Sequence, residues 1–208
     1  MGGADMEKQM IFPANRFRLV PDRDEVFAWL QCDAGLCRAA FEREWVPALQ
    51  MLEETMAPVA VCTQRNANAL TVFLTIGMET ERRVSALFQE ERYILGSLLN
   101  TLCDEMLFQM DSQLANILQR ELASEHLYMA ERLEPRVHLS PETLQADFGS
   151  LQSMVPFARV TTSGVLYPAK SMLYRIVLTG ESRTVSALHD CARCDQADCL
   201  YRNRKHES

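Results

Sequence analysis

Between about residues 80 and 130 apolar side chains recur at steps of three and four: Val84, Leu87, Leu95, Leu98, Leu99, Leu102, Met106, Met110, Leu114, Ile117 and Leu118. That spacing lines one face of a helix, so the stretch predicts one or two long helices. No other segment constrains the fold as much, because helices of that length need a broad apolar surface to cover them. Gly96 and the Asp104-Glu105 pair lie inside the pattern, and Met106 and Met110 read as core.

The covering surface is read from two Val-, Thr- and Phe-rich runs. Pro58 to Gln64 (PVAVCTQ) and Leu70 to Ile76 (LTVFLTI) predict strands joined by the polar Arg65-Asn66-Ala67-Asn68 turn. Ala158 to Val165 and Leu173 to Leu178 predict two more. Before the hairpin, a helix starts at Asp22 with Val26, Phe27 and Leu30 on one face. A second covers residues 36–56, with Phe41, Trp45, Leu49 and Leu52 at helical spacing and Pro47 inside. Ser140-Pro141-Glu142 starts a short helix over 141–153, with proline at its first position. The order of elements predicts an α+β fold, a mostly antiparallel sheet flanked by long helices. Three segments follow: an extended arm over 1–22, broken by Pro13 and Pro21; a domain over 23–180; and a Cys-rich tail over 181–208.

A net charge of −7 on 208 residues argues against nucleic acid as a partner, since phosphate rewards basic surface. No apolar run approaches the roughly 20 residues of a membrane helix. The first eight residues lack a signal-peptide core. Seven cysteines, an odd number, fit a reducing cytoplasm better than a disulfide framework. Three of them, Cys191, Cys194 and Cys199, stand at C-x2-C-x4-C spacing among Asp, Arg and Gln. Thiolates so grouped can converge on zinc or an iron–sulfur cluster. A redox-active or merely flexible tail is the alternative. Cys62 and Cys103 read as core, and Cys32 and Cys37 as half-buried thiols at a helix junction. Glu79, Glu81, Glu90, Glu91, Asp104 and Glu105 read as solvated helix faces.

Several segments together carry a resemblance: Glu25-Val26-Phe27-Ala28-Trp29-Leu30; Leu74-Thr75-Ile76-Gly77-Met78-Glu79; Ile94 to Asn100 running on to Gln113-Leu114; and Thr161 to Ser171 (TTSGVLYPAKS). In order and spacing they resemble the activation (reactivation) domain of cobalamin-dependent methionine synthase, over roughly residues 24–180. The resemblance implies binding of S-adenosylmethionine and electron-coupled remethylation of an inactive cob(II)alamin. The cobalamin would sit on a partner corrinoid protein or corrinoid-dependent methyltransferase. It also implies site residues. Arg132 and Pro135 match the ligand loop, Asn116 falls where the family's long helix carries an acid, and Tyr167, Pro168 and Ser171 match the signature turn. Three departures accompany them: Arg136-Val137 replace a Gly-Tyr, Asn116 lacks the acid's charge, and Thr162 stands where the family has Glu. Glycine permits close backbone approach and tyrosine a stacking face, so the first departure removes both. The tail cysteines lie outside the methionine synthase domain and resemble an addition of stand-alone relatives. Two functions remain open. One is a reactivating enzyme. The other is an accessory or electron-transfer module with a metal or cluster on its tail.

Overall fold

A computed structural model describes residues 8–31, 35–135, 138–182 and Cys199. Its frame is a five-stranded sheet of β1 (Lys8–Pro13), β2 (Val59–Asn66), β3 (Ala69–Thr75), β4 (Tyr128–Leu133) and β7 (Ser171–Thr179). The spatial order is β1-β2-β3-β7-β4, and every neighbouring pair is antiparallel. β5 (Arg159–Val160) and β6 (Leu166–Tyr167) make a separate small ribbon. The helices are α1 (Arg23–Trp29), α2 (Leu36–Thr55), α3 (Met78–Gln89), α4 (Tyr93–Ala123) and α5 (Pro141–Gly149). This is the α+β arrangement expected, with the arm residues Lys8–Pro13 serving as an edge strand of the same sheet. Among the described residues no helix is long and apolar enough to cross a membrane.

Alternation along the strands sorts side chains to two cores. Leu70, Val72 and Leu74 of β3 and Ile76 just beyond it, with Tyr174, Ile176 and Leu178 of β7, meet the apolar stripe of α4. Phe73 and Leu173 point to the opposite face, where Leu144 and Phe148 of α5 cover them. β3 and β7 are thus buried on both sides. α4 is buried over most of its circumference, with α1, α2 and α3 also packed on it. Local chemistry sets the helix starts. Asp22 accepts from the Asp24 and Glu25 N–H groups at α1, and Ser140 accepts from Thr143 N–H at α5.

Three expectations need correction. The helical reading ran on to about residue 130, but α4 ends at Ala123 and His126 turns the chain at φ 56°. Tyr128–Leu133 is an edge strand whose alternation a bulge between Met129 and Glu131 scrambles, which hides it from periodicity. The expected strand over 158–165 shrinks to Arg159–Val160, because Gly164, at φ 78°, closes a turn in which its N–H bonds to Thr161 O. The helix predicted over 141–153 stops at Gly149.

Gly77 joins β3 to α3 at φ 103°, and a Cβ there would lie 3.1 Å from Ala57 Cβ and 3.2 Å from Ala57 N. Neither the conformation nor the space suits another residue. Gly77→Ala should therefore destabilise the fold by about 1–3 kcal/mol, read as a lower urea midpoint at unchanged slope.

Candidate functional site

β4 sets Arg132 opposite Ile176 of β7, on the face of the sheet that meets α4. There α4 supplies Asp111. Arg132 Nη1 donates to Asp111 Oδ2 at 2.7 Å, and the Tyr174 hydroxyl donates to Asp111 Oδ1 at 2.8 Å. The guanidinium carbon stands 3.6 Å from the Tyr174 ring centroid, a close cation–π stack. Glu134 Oε1 lies 2.6 Å from Arg132 Nε. The Arg132 and Asp111 side chains are each only 6% exposed, whereas Glu134 is 19% exposed. Burial works against the guanidinium's charge. Asp111, with Tyr174 and Glu134, outweighs it and holds the group protonated. Asp111 is therefore a fixed counter-ion with both oxygens bonded. Glu134 lies nearer solvent.

The Tyr167–Ser171 turn is held from three elements. Its Tyr167-Pro168 bond is cis, and the Arg159 guanidinium sits 4.5 Å from the Tyr167 ring centroid. Ala169 N–H donates to Glu81 Oε2 of α3 at 2.6 Å. Lys170 Nζ donates to Asp104 Oδ1 of α4 at 2.6 Å. The Lys170 carbonyl accepts from the Thr75 hydroxyl at 3.0 Å and Ile76 N–H at 3.3 Å. Ser171 Oγ is buried and has no hydrogen-bond partner among the described residues.

α4 organises both stations. Asp104 and Asp111 are two turns apart on one face, about 10 Å along the axis. One pins the turn and the other pins Arg132. The stations are separate, since Ser171 and Ile176 are five steps apart along β7, about 17 Å. Arg132 and Pro135 share one end of β4, where Pro135 bridges to Leu139. Asn116 is exposed, about 140° around α4 from Asp111, and its carbonyl accepts from Arg120 Nε. The acid that meets Arg132 is Asp111, which the sequence alone does not single out. Its signal was a lone carboxylate in an apolar helical stripe. The solvated-face reading also fails in three places: Asp104 and Glu81 hold the turn, and Glu105 is buried.

Cys62 and Cys103 are buried free thiols, and burial pushes both up, Cys103 to about 12. They are core, as expected, and carry no thiolate near neutral pH. Cys37, expected to be half-buried and free, is exposed and disulfide-bonded. Cys32, Arg136, Val137, Cys191 and Cys194 lie outside the described residues, and Cys199 is a free thiol. Among the described residues no group of His, Cys, Asp or Glu is placed to hold a metal ion.

No protein-family model and no curated protein matches the chain. Among solved structures it is similar to the crystal structure of the MetH reactivation domain bound to AdoHcy. The TM-score is 0.53 at 10% sequence identity, covering 86% of this chain and 81% of that one. At that identity the likeness shows the fold.

The Arg132–Asp111–Tyr174 cluster makes a direct prediction. Asp111→Ala leaves a buried guanidinium without its fixed counter-ion and should cost about 3–5 kcal/mol. Replacing the exposed Asn116 by Ala should change stability by less than about 0.5 kcal/mol. Parallel denaturant titrations of the two variants check both.

Proposed function

We propose that this chain serves a corrinoid-dependent methyl-transfer system, binding S-adenosylmethionine at the Arg132 station and turning the Tyr167–Ser171 loop toward a corrinoid protein. The observation that carries this reading is the shared fold, spanning most of both chains, with a protonated arginine fixed at the edge of its sheet. The ligand's amino-acid end fits the station in kind. Its carboxylate would displace Glu134 from Arg132, and the freed Glu134 would meet its ammonium. Asp111 and Tyr174 would hold the guanidinium in place through the exchange. In the reaction, a separate donor supplies one electron to cob(II)alamin. The resulting cob(I)alamin attacks the methyl group of the sulfonium, giving methylcobalamin and S-adenosylhomocysteine. The protein's part is to hold the two reactants in line and exclude water. The braced turn, tied to α3, α4 and β3, suits a surface on which a large cofactor must rest without yielding.

A second reading is a non-catalytic accessory to a corrinoid protein. Arg132 in its observed state favours it, with its charge already met by Asp111 and Glu134 and its side chain 6% exposed. Asn116, turned away from Arg132, points the same way. In that reading Cys191, Cys194 and Cys199 would carry zinc or an iron–sulfur centre for structure or electron delivery.

Titration calorimetry with S-adenosylmethionine separates the two. The first reading expects saturable binding that Arg132→Lys weakens about ten- to a hundredfold, the loss of a charged hydrogen bond. Lysine keeps a cation beside Asp111, so a matched melting curve would confirm an intact fold. No heat at millimolar ligand would sink the first reading. Iron and zinc analysis of anoxically purified protein would then decide whether the tail is a metal carrier.

A further inference from the structure

The arm between β1 and α1 is bound to α4 by side chains that imitate a neighbouring strand. Gln113 accepts from Arg18 N–H at 2.8 Å through Oε1 and donates to Arg18 O at 2.7 Å through Nε2. Gln109 does the same for Val20, at 3.0 and 2.7 Å. Glu105 Oε1 accepts from Asp22 N–H at 2.8 Å. The match is geometric: every second residue of an extended chain advances about 6.6 Å, and every fourth residue of a helix about 6 Å. Phe17 and Leu19, on the alternate positions, pack against the core.

The three rungs differ in one respect. The two glutamines are neutral and use both ends of their amides. Glu105 is an acid, 2% exposed, whose Oε2 is buried without a hydrogen-bond partner among the described residues. Its Oε1 takes only Asp22 N–H and Gln109 Nε2, the latter at 2.6 Å. The charges acting on it from α1 and its cap are Glu25 and Asp22, both carboxylates. Arg23 of α1 is paired with Glu42, and Arg38 of α2 with Glu42 and Asp24, and neither contributes to the shift of Glu105.

We propose that Glu105 makes the arm a proton-sensitive strap, latched to α4 while the buried carboxyl carries its proton and loosened when it ionises. Desolvation, with the charges of Glu25 and Asp22, raises the carboxyl from its ordinary 4.5 to about 7, against the pull of the Asp22 and Gln109 bonds. The sign follows. A group that holds its proton more tightly in the latched state favours that state at low pH. The contribution is full below about 4.5 and is lost as pH rises through 7. Between pH 5 and 8 the latching equilibrium should fall by ~70-fold. Asp22 couples the strap to the next element, because its backbone is the rung on Glu105 while its carboxylate caps α1.

The test is amide hydrogen exchange on the full chain from pH 5 to 8, corrected for the intrinsic pH dependence of exchange. Protection of the Arg18, Val20 and Asp22 amides should fall across this range by up to that factor, while Leu70 and Val72 in β3 hold steady. Glu105→Gln, a neutral isostere, should keep the three amides protected throughout. Glu25→Gln should move the midpoint down. Wild-type protection that does not change with pH, or a pH dependence that survives Glu105→Gln, would overturn the proposal. If Glu105→Gln fails to fold, the wild-type profile and the Glu25→Gln midpoint decide, and an unmoved midpoint counts against it.

Discussion

A guanidinium buried between a carboxylate and a phenol ring fixes the edge of this sheet to its longest helix. Taking two charges out of water costs several kcal/mol per ion, and the attraction between them repays this only when geometry is good and the remaining polar atoms are bonded. Both conditions hold for Asp111, whose two oxygens meet Arg132 and Tyr174. The three residues come from α4, β4 and β7, so a slip of one residue in β4 would turn Arg132 to the wrong face and strand Asp111. The cluster therefore sets the register of the edge strand, and with it the place where the chain leaves β4 for the Pro135 loop.

The long helix does more than supply a core. Its apolar side holds the sheet. The flank bearing Asp104 and Asp111 holds the candidate site. The flank bearing Glu105, Gln109 and Gln113 holds the arm. Few of its faces are left to water, and its buried acids Glu105 and Asp111 each accept a hydrogen bond from a group outside the helix. One helix thus positions three parts of the chain that are far apart in sequence. Its acids mark where those parts attach.

Much of this fold was legible in the sequence where burial is one-sided or regular. The steps of three and four gave α4 its length, and the β2–β3 hairpin stood out by its Val, Thr and Phe content and its polar turn. β4 was not legible. It is short and bulged, and carries the charged Glu131 and Arg132 side by side, so no apolar–polar alternation runs along it. The site was half legible. Arg132 and the Tyr167–Ser171 turn entered through resemblance to a family, but Asp111 did not. A single acid in an apolar stripe looks like a surface residue until its partner arrives from a strand 21 residues on. Glu105 was hidden for the same reason, because what buries it is an arm more than eighty residues earlier in the chain.

The order of the sheet has a consequence for how the chain comes into being. Among the described strands β7 is made last, yet it lies between β3 and β4. Until Thr179 has left the ribosome, both neighbours present a bare row of N–H and C=O groups, and β3 does so along a strand of nearly continuous apolar residues. Such open edges are templates for pairing with another chain. Any nascent or clipped form that stops short of Ser171 carries two of them. The strand that arrives last is the one that makes the rest of the sheet safe from its neighbours.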